Sequence, residues 1–413
     1  MAISLYILSE GSVAANYGIG TFLREMVDFF QDKREFVITM IEFQSNVVAE
    51  FTVENMGAYS SIKIPAVRIS GVERDSNRYY SNAWSLIKTQ IEPTRNMLFH
   101  FNYYQEFPLI RMIRNDFPDS RICFTIHYQM WALQLKGNVR LFREILHKSD
   151  EEITTDEKDI LIEYRNEKRL LDAVDAVICM SQYTFDLLLE DYGVRESKLV
   201  LIYNGLHDMY TPITPKQRLC LRRKMHFADD EKIILFVGRL SPEKGVDYLI
   251  EAFKLLLKKI KCQLVIVGDG DISYCLKLCA GVWKRVTFTG RIEKKCLYDF
   301  YKVADIGIMP SFHEQCSYVA IEMLMFNLPL IVSTSTGLCE TLVDDKSKIH
   351  IIEKEKESTI SVKNLSMLIM ERLRCHPIDG RKRFLEEYNL PIMGNKYLSL
   401  YKSLFHQNND KFA

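Results

Sequence analysis

Residues 232–259 read KIILFVGRLSPEKGVDYLIEAFKLLLKK. Ile233 to Val237 form an unbroken apolar run, the pattern of a parallel strand buried on both faces. Gly238, the Ser241-Pro242 pair and Gly245 then turn the chain, since glycine and proline punctuate regular structure. Beyond the turn, Val246, Leu249, Ile250, Phe253 and Leu256 recur with helical period and predict a long amphipathic helix. Strand, tight turn and helix in that order are the building unit of an α/β fold.

The unit repeats along the chain. Downstream, strands are predicted at CQLVIVG (262–268), VTFTG (286–290), IGIMP (306–310) and LPLIVS (328–333). Upstream, a first series comprises ISLYIL (3–8), FVITMIEF (36–43), MLFHF (97–101), RICFTI (121–126), AVICM (176–180) and LVLIY (199–203). The charged stretch 133–170 reads as a helical excursion between two of these strands. Pro212 and Pro215 mark a linker, which places a boundary near 211. The expected architecture is α/β, with two Rossmann-like domains of parallel sheet, 1–211 and 212–390, facing a cleft. A chain of 413 residues exceeds what one core usually serves, which agrees with two domains.

Lys+Arg and Asp+Glu number 54 each, so any anion site must be local and a nucleic-acid partner is not expected. The ten cysteines include no CxxC pair and read mostly as core residues in a reducing compartment. The opening MAISLYILSEG lacks the basic start of a signal peptide, and no run reaches membrane-spanning length, so the cytoplasm is the expected location.

Open parallel sheets bind ligands at the carboxyl ends of their strands. There, Arg239 and Lys244 flank the turn that opens the 246–256 helix, a plausible diphosphate site. The alternative is two solvated surface cations. VIVGDGD offers Asp269 and Asp271 as hard metal ligands, but acids in a glycine-bearing loop are more often turn formers. It also lacks the third glycine of a dinucleotide fingerprint, and no Walker A pattern occurs. In PSFHEQCSYVAIEMLMF (310–326), Glu314 is expected in a loop, and Glu322 one turn inside an apolar helix that starts near Tyr318. Two carboxylates, with the amides of Gln315, Cys316 and Ser317, suit a ligand rich in hydroxyls. An incidental loop acid, with a helix acid paired to an arginine, is the alternative.

FVGRLSPEKGVDYLIEAF, LVIVGDGD, VTFTGRI, MPSFHEQCSYVAIEMLMFNLPLIVSTSTGLCE and YNLPIMGNKYLSLYKSLF, in this order, resemble the retaining GT-B glycosyltransferases of family 4. YGIGTFLREM, FTIHYQ, DAVICMSQYT and LIYNGL extend the likeness, of bacterial type, into the first half. The resemblance implies a hexose-type transfer from a nucleotide sugar such as a UDP- or GDP-sugar, with retention and without a metal ion. Arg239 and Lys244 would hold the diphosphate, Glu322 the ribose and Glu314 the sugar hydroxyls, helped by Gln315, Cys316 and Ser317. His127 would lie near the transferred sugar, and Gly18 and Gly20, in the loop after the first strand, would let backbone approach the donor. Residues 391–413 would return to the first domain. Gln315-Cys316-Ser317 replaces the family's small residues, and YGIG its Gly-Gly-x-Gly, so sugar preference is not carried over.

Rival readings are a GT-B phosphorylase or epimerase, a nicotinamide dehydrogenase, and a non-catalytic scaffold that kept the fold. The acceptor stays open among glycan, lipid-linked sugar, small molecule and peptide. The basic runs KQRLCLRRK (216–224) and KLLLKKIK (254–261) leave open a peripheral contact with anionic lipid, against ordinary solvated helix faces.

Overall fold

A computed structural model describes residues 2–11, 18–69, 73–354, 357–375 and 379–406. The chain forms two compact units, one from 1–129, 161–205 and 390–413, the other from 130–160 and 206–389.

The first unit holds an eight-stranded sheet in the order β3-β4-β2-β1-β5-β6-β7-β8. Its strands are β1 (Ile3–Glu10), β2 (Phe36–Ser45), β3 (Thr52–Asn55), β4 (Ser60–Pro65), β5 (Met97–Phe101), β6 (Arg121–Thr125), β7 (Ala176–Cys179) and β8 (Leu199–Leu201). All pairings are parallel except β3 with β4. The apolar runs therefore fall where expected. The β3–β4 hairpin was not expected from sequence, because its residues alternate with Glu54 and Lys63, which pair at 2.7 Å on the sheet edge. Such charges suit an edge that must not pair further.

The closing helix, Leu390–His406, packs in this first unit. Gly394 meets the Phe29 ring, where a Cβ would clash. Buried His100 on β5 then joins Tyr401 Oη (2.6 Å) through Nδ1 and Thr125 Oγ1 on β6 (2.7 Å) through Nε2. Thr125 Oγ1 also reaches Tyr397 Oη at 3.2 Å. A polar group this deep is tolerated only when both ring nitrogens have partners, so this network fixes the helix in one register.

The second unit holds a six-stranded parallel sheet, order β11-β10-β9-β12-β13-β14. Its strands are β9 (Lys232–Val237), β10 (Cys262–Val267), β11 (Val286–Gly290), β12 (Ile306–Met309), β13 (Leu330–Ser333) and β14 (Lys348–Ile349). The helix Val246–Leu256 covers it with Leu249, Phe253 and Leu256, as its period predicts. A small antiparallel pair, β15 (Ile351–Glu353) with β16 (Ser358–Ile360), was not expected.

The excursion is helical, as Met130–Gln134, Val139–Leu146 and Thr155–Ala173. Its part from 130 to 160 nevertheless groups with the second unit, which departs from a single boundary near 211. Gly137, at φ +71°, lays backbone against Phe312 O, and Asn138 Nδ2 donates to Lys354 O at 3.0 Å. A left-handed turn of this kind favours glycine and leaves no periodic signal. All ten cysteines are free thiols, five of them buried. Among the described residues no helix is long and apolar enough to cross a membrane.

Candidate functional site

In the second unit, the turns after β9 and β10 are built on each other. Leu240 N donates to Asp269 O (2.7 Å) and Asp271 N to Leu240 O (2.9 Å). Gly268 and Gly270 meet the Gly238 and Leu240 backbones where a Cβ would clash. The glycines of VGDGD thus serve loop-to-loop contact. Asp271 caps the helix Ile272–Leu278 by accepting from Tyr274 N at 2.9 Å, which is the turn-forming role expected of it.

Gly245 ends the turn at φ +64°, and a side chain there would strike Pro310 O. This close approach seats the turn after β9 on the end of β12, where Phe312 N donates to Glu243 O at 2.7 Å. Lys244 Nζ consequently lies 2.7 Å from Glu314 Oε1, with both side chains mostly shielded from solvent. Arg239 reaches Glu243 at 3.7 Å, and Ser241 Oγ donates to the same carboxylate at 2.6 Å. Both expected diphosphate ligands therefore sit beside carboxylates.

The Glu314 backbone is pinned from the loop after β13. Its N donates to Thr336 Oγ1 (3.0 Å), and its O accepts from Thr336 Oγ1 (2.5 Å) and Gly337 N (2.9 Å). Gln315 and Ser317 are buried and Cys316 partly so. Ser317 occupies the cap position of the helix Tyr318–Met325 without a side-chain cap bond. His313, buried beside Glu314, has no hydrogen-bond partner on either ring nitrogen among the described residues. Burial, with the Lys244 charge, holds its pKa down at about 3.

Glu322 lies one turn inside that helix, as expected, and is only 1% exposed. Its carboxylate is fully engaged. Lys294 Nζ ion-pairs with Oε1, and Tyr301 Oη donates to Oε2 at 2.7 Å. The alternative reading foresaw a paired helix acid, but the partner is a lysine. Lys294 opens the helix Lys294–Val303 after β11, and a separation of 28 residues left no motif to find it. The usable signal was position, since Lys294 follows the carboxyl end of a strand.

In the first unit, Gly18 and Gly20 form the first turn of the helix Gly18–Phe30, not the preceding loop. Residues 12–17, which include Tyr17 of YGIG, lie outside the described residues. His127 follows β6, its ring 4.9 Å from Phe22. Its Nε2 is 2.9 Å from Asn102 Oδ1. Asn102 Nδ2 donates to Leu8 O (2.9 Å) and His100 O (3.4 Å), so Oδ1 must be the acceptor toward His127. The proton of His127 is therefore on Nε2, and Nδ1 is the acceptor nitrogen. Burial, helped by His100, lowers its pKa to about 3.

Glu106 was missed by the sequence reading. Its Oε2 accepts from Asn102 N (3.5 Å) and Tyr103 N (3.4 Å), which shapes the strand end that carries Asn102. Burial, with the Glu10 charge, pushes its pKa well above the carboxylate range. Nothing in YYQEF distinguishes it from an ordinary first-turn acid.

Two family models match this chain, Glycosyltransferase Family 4 over residues 18–208 and Glycosyl transferases group 1 over residues 218–374. An uncharacterised glycosyltransferase of Methanocaldococcus jannaschii is 34% identical over 187 residues, 44% of this chain and 48% of that protein. A GDP-mannose-dependent monoacylated alpha-(1-6)-phosphatidylinositol monomannoside mannosyltransferase of Corynebacterium glutamicum is 29% identical over 245 residues, 56% and 62% of the two chains. The chain thus spans about half the length of such relatives. In fold it is similar to a sucrose-phosphate synthase of Thermosynechococcus elongatus, with TM-score 0.75, 19% identity, and 98% and 100% of the two chains covered. An Anabaena protein crystallised with UDP-glucose superposes with TM-score 0.63 at 14% identity, covering 97% and 100%.

Proposed function

The chain belongs to family 4 of the glycosyltransferases and has the GT-B fold, and from that premise we propose its reaction. It moves a hexose-type sugar from a UDP- or GDP-sugar to an acceptor, with retention of the anomeric configuration and without a metal ion. The single observation that carries this reading is the Lys244–Glu314 pair at the carboxyl edge of the second sheet. It sets a cation for phosphate against an acceptor-rich carboxylate for sugar hydroxyls, within one ligand's reach.

In this reading the anomeric C–O bond to the diphosphate breaks as the acceptor oxygen attacks the same face. The acceptor's proton passes to a donor phosphate oxygen, and the leaving nucleoside diphosphate keeps the bond's electron pair. Arg239 and Lys244 stabilise that developing negative charge, the largest electrostatic demand of the step. Glu314, with the backbone of Gln315, Cys316 and Ser317, orients the sugar. Glu322 takes the ribose diol once Lys294 yields its place. The family resemblance gives His127 a place near the transferred sugar and gives Gly18 and Gly20 a close approach of their own backbone to the donor. The acceptor class stays among glycan, lipid-linked sugar, small molecule and peptide. Ten free cysteines support a reducing, cytoplasmic setting.

The test is thermal stabilisation by UDP, GDP, ADP and their sugar conjugates without metal. A ligand at 100 times its Kd stabilises by about 2.7 kcal/mol. One nucleotide should stabilise, and Lys244→Ala should cancel the effect. Absence of a shift with every nucleotide overturns the reading.

A further inference from the structure

We propose that the second unit docks on anionic membrane surfaces through a basic face centred on Trp283. The two basic runs have opposite fates in the fold. In the helix Pro215–Lys224, Arg218 and Arg222 turn inward to Asp305 (3.1 and 3.2 Å) and Arg223 pairs with Asp229, so the three arginines of this run are engaged, while Lys216 and Lys224 stay exposed. In the second run, Lys258 and Lys259 stay exposed.

The fold brings a second sequence, Trp283-Lys284-Arg285, beside them. Lys258, Lys259, Lys261, Lys284 and Arg285 line a depression of about 470 Å³, together with Leu257. Lys261 is balanced by Asp230 at 2.6 Å and Arg285 by Glu231 at 3.4 Å. Lys258, Lys259 and Lys284 have no ion-pair partner among the described residues. Because the whole chain carries 54 charges of each sign, this excess is local and made by folding.

Trp283 supplies the second observation. It is 70% exposed, whereas Trp84 and Trp131 are 4% and 0% exposed. A large apolar ring with one N–H donor is poorly placed in water and suits the headgroup region of a bilayer. Lysines flanking it suit anionic headgroups, each worth roughly a fivefold gain in affinity near such a surface. The face lies at the amino ends of β10 and β11, on the edge opposite Lys244 and Glu314. Docking there leaves the nucleotide-binding turn open to solution, so the proposal is independent of sugar transfer.

The three tryptophans make the test specific. Trp84 and Trp131 are already buried, so a blue shift of emission on adding vesicles reports Trp283. With full-length protein, vesicles of about three parts phosphatidylcholine to one part phosphatidylglycerol should give the shift and co-sedimentation. Phosphatidylcholine alone should give neither, and about 0.5 M NaCl should reverse both. Trp283→Ala should abolish the shift. Replacing Lys258, Lys259 and Lys284 together by Glu should cut co-sedimentation at least tenfold, while nucleotide stabilisation persists. No response to anionic vesicles, or an equal response to neutral ones, overturns the proposal. Displacement of the vesicles by short RNA at equal ionic strength does so too, assigning the face to a polyanion instead.

Discussion

Lys244 Nζ stands 2.7 Å from Glu314 Oε1, joining the turn after β9 to the loop after β12 by one shielded ion pair. The two residues are 70 positions apart in sequence, and the approach is made by Gly245 on Pro310. In the proposed reaction, a diphosphate entering the turn competes with Glu314 for the same ammonium. Lys244→Ala should therefore weaken nucleoside diphosphate binding by about tenfold to a hundredfold, the range for a lost charged hydrogen bond. Glu314→Gln should leave nucleotide affinity unchanged or tighter, while the gain from an attached sugar disappears. Calorimetric titration with a nucleotide and its sugar conjugate separates the two effects.

Glu322 makes a contrasting prediction, on stability. Tyr301→Phe removes a 2.7 Å bond to a buried carboxylate and should cost about 1.5–3 kcal/mol in urea unfolding. Lys294→Met removes the counter-charge instead. That leaves a carboxylate of 1% exposure uncompensated and should cost more stability than Tyr301→Phe in the same measurement. An equal or smaller loss in Lys294→Met would show that the pair contributes packing rather than charge balance.

Gly245 and Gly281 separate steric from conformational cost. Both have positive φ, +64° and +80°, but only Gly245 faces an obstacle, Pro310 O, while nothing stands within 4 Å of a Cβ at Gly281. Gly281→Ala should cost about 1 kcal/mol, the price of the left-handed conformation. Gly245→Ala should cost about 2 kcal/mol or more and also weaken nucleotide binding, because the turn must lift off β12. Equal losses in both variants would remove the role given to the Gly245 contact.

What could be read in the sequence follows from the range of the forces involved. The runs 97–101 and 286–290 coincide with their strands, the first buried at every position and the second a half-buried edge strand marked by its β-branched Val286, Thr287 and Thr289. The hairpin TVEN/SSIKIP and the short Ile351–Glu353 and Ser358–Ile360 strands did not announce themselves, being short segments whose polar residues match those of loops. Glu314 and Glu322 were found in their loop and helix. Their partners Lys244 and Lys294 became visible as partners only in three dimensions, and so did the His100–Tyr401 bond across 301 residues. Pairings at that range leave no period to detect.

Acid stability should depend on His100 in the first unit and His313 in the second, both buried with pKa values near 3. An unfolded histidine takes up its proton near 6.5, so between about pH 6.5 and 3 the unfolded state binds more protons. Stability must then decrease as pH is lowered through that window, by about 1.4 kcal/mol per unit for each histidine. His313 has no hydrogen-bond partner among the described residues, so His313→Phe should be neutral or stabilising at pH 7 and should flatten the acid limb of urea unfolding. An unchanged acid slope in that variant would exclude His313 from the linkage.

Asn102 governs what His127 can do. Its Nδ2 is committed to Leu8 O and its Oδ1 to His127 Nε2, so the imidazole is neutral and presents Nδ1 as acceptor. With a pKa near 3, His127 should show no titration between pH 5 and 8 in its ring NMR signals. Asn102→Asp puts a carboxylate at the same 2.9 Å position, which favours the imidazolium and should bring the titration into that window. The two variants then separate positioning from chemistry. His127→Ala should lower sugar transfer by about tenfold, as expected for a lost hydrogen bond to the transferred sugar, with nucleotide affinity intact. Asn102→Asp should keep transfer only at the high end of the pH range, where the ring is again neutral. If Asn102→Asp leaves both the titration and the pH profile unchanged, the bond to Asn102 does not set the state of His127.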